Sequence, residues 1–177
     1  LSVFLALGLF FMAPIGLTTW LFDTDQDAFI FNLISGIFRV IFFLTYLILI
    51  SLMKDSRRLF QYHGAEHKTV YNFESGRELT IENAQSFPTQ HPRCGTSFLF
   101  IIMIVAIFSF SILDALVINY VGELKIWMRL ALHIPFIPIV AGMGYEVLKL
   151  TAAHRDNFLF IVLAKPGLWL QNITTKQ

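Results

Sequence analysis

The sequence predicts an all-α integral membrane protein: four transmembrane helices in two hairpins, with a helical cytoplasmic segment between them. Three observations carry this. Hydrophobic residues make up 56% of the chain, Phe alone numbers 19 and the mean hydropathy is +0.66, a balance foreign to soluble domains. Four apolar stretches are long enough to cross a bilayer. The basic residues gather in one long polar segment and in the C-terminal tail.

The first hairpin (1–53) pairs Leu1–Phe22 with Ala28–Met53 across the turn Asp23–Asp27. The second (97–150) pairs Ser97–Val121 with Ile126–Leu150 across Gly122–Lys125. Lys54, Arg57, Arg58, Lys68, Arg77 and Arg93 lie between the hairpins, and Lys149, Arg155, Lys165 and Lys176 lie near or after the last span. Positive-inside bias therefore predicts that segment 54–96, tail 151–177 and both chain ends face the cytoplasm. Within the tail, Phe158–Ala164 is too short to span and runs into Lys165-Pro166-Gly167, and Trp169 suits an interface or a bundle surface.

Other classes fall away on composition. A net charge of +1, with bases and acids interleaved, offers nothing to nucleic acid. A single cysteine, Cys94, excludes an internal disulfide and fits a reducing face. The first span has neither a basic leader nor a small-residue cleavage site, so it reads as a membrane helix; a start at Leu1 predicts a fragment. No feature sets an oligomeric state.

In the polar segment, apolar residues at Leu59, Phe60, Tyr62, Val70, Tyr71 and Phe73 predict a helix over Leu59–Phe73 that stops at Ser75-Gly76. Gly64 weakens that helix by about 1 kcal/mol but permits close backbone approach. Thr80 is the expected N-cap of a short helix Ile81–Phe87, closed by Pro88, and residues 89–96 form a turn into the third span.

That first helix carries His63-Gly-Ala-Glu66-His67. Residues four apart sit about 40° apart on a helix, so both imidazoles can grip one ion, and Glu66 falls about 60° to the other side of His63. The order H-x-x-E-H is that of inverted zinc peptidases: two His bind zinc and Glu activates the water. The expected roles are His63 and His67 as ligands and Glu66 as general base.

Three further positions can complete such a site. His91 and Cys94, three apart in His91-Pro-Arg-Cys94, can ligate zinc, and Arg93 can hold an anion or lower the thiol pKa. The alternatives are simple packing at a helix start and a His-paired nucleophilic Cys94. Glu146, about 6 Å inside the cytoplasmic boundary at 1.5 Å per residue, has the depth of a distant third ligand; its alternative is an ion pair with Lys149, Arg57 or Arg58. Tyr62, Lys68, Lys149 and His154 are candidates for substrate or supporting contacts. Deeper in the spans, Arg39 and Asp114 predict a buried ion pair, and His133 lacks a facing histidine that would make a haem site.

Tyr62-His-Gly-Ala-Glu-His-Lys68, Glu74-Ser-Gly76, Leu79-Thr80, His91-Pro-Arg-Cys-Gly-Thr-Ser97, Tyr145-Glu146 with Lys149, Ala164-Lys-Pro-Gly-Leu-Trp169 and Thr174-Thr175 together resemble a bacterial membrane family, domain of unknown function 1385, called YqhQ-like. The resemblance covers essentially the whole chain. It implies residence in the bacterial inner membrane and a metal-dependent enzyme. Members usually carry a Gly-rich segment before the first span and a polar tail, both absent here. The functional expectation is a zinc-dependent hydrolase acting on a membrane-adjacent peptide or lipid-linked molecule. The rival is a non-catalytic membrane protein whose closed site (His63, His67, His91 and Cys94) pins the central segment to the bundle; a metal transporter finds too few polar residues along the spans.

Overall fold

A computed structural model describes residues 1–22, 27–154 and 157–176. The described chain is all helix: α1 (Ser2–Leu7), α2 (Ala13–Leu21), α3 (Ala28–Ser51), α4 (Lys54–Glu74), α5 (Ile81–Gln85), α6 (Gly95–Val121), α7 (Ile126–Ala153) and α8 (Phe158–Thr174). A π-helical turn, Gly8–Met12, joins α1 to α2. Pro14 cannot donate to the carbonyl four residues back, and the turn ahead of it widens to compensate. Four helices are long and apolar enough to cross a membrane: Ser2–Leu21, Ala28–Ser51, Gly95–Val121 and Ile126–Ala153. They match the expected spans to within a few residues. Most of the expected turn Asp23–Asp27, and Arg155, lie outside the described residues.

The chain divides into two compact units. The first comprises Leu1–Leu44 and Ile101–Glu146. Its apolar core is Phe11, Ile15, Phe31, Ala106, Phe110 and Val140. Its polar core corrects the expected Arg39–Asp114 pair. Asp114 instead receives Arg129 Nη1 at 2.5 Å and Asn32 Nδ2 at 2.7 Å on Oδ2, with His133 Nε2 at 2.6 Å from Oδ1. Arg129 is four residues into α7, where a cation reads as a flanking charge. It folds inward over the Phe31 ring, 3.6 Å from its centroid, and reaches the carboxylate.

The second unit comprises Thr45–Phe100 and Val147–Gln177. Helix α4 starts at Lys54, five residues before the expected Leu59, because Lys54–Arg58 are competent helix formers with Asp55 in the favourable first turn. It ends as expected, with Ser75 as C-cap and Gly76 at φ +70°. Thr80 caps α5, its hydroxyl accepting Asn83 N–H at 3.2 Å, although α5 stops at Gln85.

Helix α8 does not stop at Lys165-Pro166-Gly167 but runs to Thr174. Pro166 costs it one backbone bond. Gly167, Leu170, Gln171 and Thr174 are buried along one stripe, and that packing outweighs the loss. Beyond α8 the chain docks on α4: Lys176 N–H donates to the Phe60 carbonyl at 2.9 Å, and a Cβ at Gly64 would overlap the Lys176 carbonyl. Gly64 is thus the point where α4 admits the tail.

Candidate metal centre

Helix α4 presents His63 and His67 on one face, their ring centroids 4.4 Å apart. The turn Pro88–Cys94 brings the third donor. Its backbone is clamped by the buried Gln171 of α8, which accepts His91 N–H at 2.7 Å and donates to the His91 carbonyl at 2.8 Å and to Ser97 Oγ at 2.8 Å. Cys94 N–H reaches back to the His91 carbonyl at 3.3 Å, and Cys94 then caps the start of α6, its sulfur accepting Thr96 N–H at 3.4 Å. A sulfur in that position meets the positive end of the helix dipole.

Among the described residues, His63, His67 and Cys94 form a group whose donor atoms lie within 4.8 Å of one another. His63 Nε2 is 3.3 Å from Cys94 Sγ. Tetrahedral zinc with bonds of about 2.0–2.3 Å sets such ligand atoms about 3.4–3.6 Å apart, so the spacing fits an ion with little movement. Tautomer supports the same fit. His63 Nδ1 is 2.9 Å from the Thr174 carbonyl, and His67 Nδ1 contacts the Thr89 carbonyl. Carbonyls only accept, so both rings carry a proton on Nδ1, and in the neutral imidazole that leaves Nε2 as the lone pair toward the sulfur. Metal-binding histidines are oriented in this way by their outer partners.

The electrostatics suit a thiolate. Burial pushes the Cys94 thiol up, but its hydrogen bond with His67, the hydroxyl and N–H of Thr96 and the charge of His63 outweigh it, holding the thiol at about 6 against an ordinary 9.0. Burial opposes protonation of His67, but its bonds to Cys94 and the Thr89 carbonyl and the charge of Glu66 raise it above its ordinary value. The group can therefore hold a metal ion.

The donors open on a cleft of about 330 Å³, lined also by Glu66, Val70, Glu74, His91, Arg93 and Gly95. Glu66 is exposed at its edge. His91 is buried beside the group and is not among its three members: its ring is 5.7 Å from His67, Nδ1 accepts Arg93 N–H at 3.3 Å, and Nε2 is 3.6 Å from Glu74. Burial lowers the His91 imidazole despite the pull of Glu74. Arg93 pairs with Glu74 at 2.6 Å, at the cleft rim.

The remaining candidates lie elsewhere. Glu146 belongs to the first unit and is exposed on α7; Lys149, in the second, is exposed too. Tyr62 is exposed, its hydroxyl accepting Arg58 Nη2 at 3.2 Å. Lys68 lines a separate cavity with Gln61, Gly64 and Lys176. His154 is 3.1 Å from the Leu150 carbonyl and stacks on Phe160 at 5.3 Å. Sequence reasoning missed Glu74, which does carry a signal: His63, His67, Val70 and Glu74 form one helical stripe. It also missed Thr89, Thr96, Gln171 and Thr174 as supports, and nothing in local sequence reveals carbonyl contacts made by a docked tail.

An all-helical membrane protein, with four helices among the described residues long and apolar enough to span and a His/His/Cys group capable of coordinating a metal ion, is thus the class that fold and site define. The chain belongs to the family described as Protein of unknown function (DUF1385), which it matches over residues 1–177. It is 38% identical over 144 residues to a Bacillus subtilis (strain 168) protein named "Uncharacterized protein YqhQ", a match covering 81% of this chain and 43% of that protein. The chain thus spans less than half the length of this curated relative. No solved structure matches it.

Proposed function

We propose that this chain is a zinc-dependent hydrolase of the membrane, with its cleft at the cytoplasmic surface. The observation that supports it most is the open donor set: among the described residues three donors, His63, His67 and Cys94, gather within ligating distance and face a cleft, and three protein ligands with an open position are the pattern of catalytic rather than structural zinc. Bound there, the ion would supply Lewis acidity, lowering the pKa of a water and polarising a carbonyl or phosphoryl oxygen. Glu66 at the cleft edge accepts the proton of the attacking water. Arg93, tied to Glu74, offers a cation for an anionic group at the rim.

A cavity of about 420 Å³ lies against the turn Pro88–Cys94, lined mainly by apolar groups of Tyr71, Pro92, Phe160, Ile161, Ala164 and Leu168, with Gln90, Thr151 and Lys165 among them. Its apolar lining favours a lipid-linked substrate over a free peptide. The rival staple reading draws on the same donors, since they tie α4 to the head of α6. Glu66→Gln separates the two, because the amide keeps the shape and cannot accept a proton. The enzyme reading expects metal affinity unchanged and failure to complement a deletion strain; a metal-loaded Glu66→Gln variant that complements fully overturns hydrolysis. If Glu66 only supports a ligand, affinity itself falls about 10–100-fold.

A further inference from the structure

Arg39 lies eleven residues from the start of α3 and twelve from its end, about 16–18 Å from either terminus at 1.5 Å per residue. It is 6% exposed. Its guanidinium sits over Phe11, 4.8 Å from the ring centroid, and over Phe110 at 5.6 Å. Those rings attract the charge without neutralising it. Nε and Nη2 of Arg39 have no hydrogen-bond partner. Asp114 acts on Arg39 only through space, since its Oδ1 is engaged by His133 and its Oδ2 by Arg129 and Asn32. Ser35, one turn from Arg39 on the same stripe of α3, is fully buried with its hydroxyl also unpartnered.

A buried guanidinium in the middle of a membrane span, with the Nε–Nη2 edge unsatisfied, needs an acceptor that carries charge. We propose that Arg39 and Ser35 hold a small monovalent anion of about chloride size inside the first unit. One guanidinium left unmatched by a contacting carboxylate sets the charge, and Arg39 Nε–H and Nη2–H with Ser35 O–H supply the donors. A lipid phosphate cannot reach that depth from either end of α3. Asn32 Oδ1 and His133 Nδ1 are acceptors without donors nearby, and water accompanying the ion supplies their hydrogens. Water alone satisfies hydrogen bonds but leaves the charge uncompensated.

The test uses the whole chain, purified in gluconate and reconstituted in nanodiscs, with radiolabelled chloride as the probe. Saturable binding displaced by bromide is expected. Arg39→Gln should weaken it about 10–100-fold, the loss typical of a hydrogen bond to a charged group, and Arg39→Lys should retain part of it. Crystals of the unaltered protein grown in bromide should show an anomalous peak within hydrogen-bond distance of Arg39, which decides the matter even if Arg39→Gln does not fold. Ordered water in place of that peak, or chloride binding undiminished in folded Arg39→Gln, would overturn the proposal.

Discussion

His63 and His67 turn their Nδ1 protons onto backbone carbonyls and leave Nε2 beside a sulfur, whereas His133 gives its Nε2 to a carboxylate already holding an arginine. The first pair faces a cleft and the second is sealed, with Asp114 and His133 both at 0% exposure. What separates a histidine free to take a metal from a structural one here is the partner, not the residue. A carbonyl on one nitrogen frees the other, while a carboxylate within an ion-pair network commits the ring to holding helices together. The comparison predicts opposite behaviour of the two clusters under substitution.

The largest effect belongs to the donors. His67→Ala should strip most of the metal from the purified protein, measured by elemental analysis, while the unfolding midpoint of the metal-free form barely moves. Full metal content in that variant would erase the distinction. Asp114→Ala should do the reverse, leaving metal content intact and destabilising the fold by about 3–5 kcal/mol, because Arg129 is then buried without its carboxylate. Unfolding in detergent reads this out, and a neutral result would mean the network is not structural.

A smaller effect is expected at Gly64. A methyl group there pushes the Lys176 carbonyl away and loosens the Thr174 contact that orients His63. Metal affinity should fall about 10–100-fold in a competition titration, the usual cost of losing a ligand's outer partner. Unchanged affinity would show that the tail does not set the ring.

The smallest is a shift at Cys94. In metal-stripped protein, alkylation should rise with pH through about 6 and level off, far below an ordinary thiol at 9.0, since the thiolate is the reactive form. Thr96→Val removes the hydroxyl donor and should move that midpoint upward. The same depression means the thiolate's contribution to folding is present above the unfolded value of 9.0 and fades as pH falls through about 6. Zinc should block alkylation at every pH, and rapid modification of the loaded protein would remove Cys94 from the group.

The spans and the donors were legible because each rests on local pattern. Hydropathy over about 20 residues marks a span, and the spacing of His63 and His67 on a helix defines a face. Cys94 was readable as a candidate but not as the third donor in preference to His91. That choice depends on the turn Pro88–Cys94, held by Gln171 from 80 residues away. Asp114 pairs with Arg129 for a related reason: a common depth in the spans suggests Arg39 as its partner, whereas side-chain reach across Phe31 brings Arg129 in. The length of α8 was hidden by Pro166, whose breaking tendency is overridden by the buried stripe from Gly167 to Thr174.

Diffraction at the zinc absorption edge from metal-loaded crystals tests the open three-donor site. One anomalous peak is expected about 2.0–2.3 Å from His63 Nε2, His67 Nε2 and Cys94 Sγ, with a coordination position left to solvent beside Glu66. A site closed by a fourth protein ligand such as His91 would contradict the catalytic reading. A loaded, folded protein with no peak between those three atoms would contradict the metal centre itself.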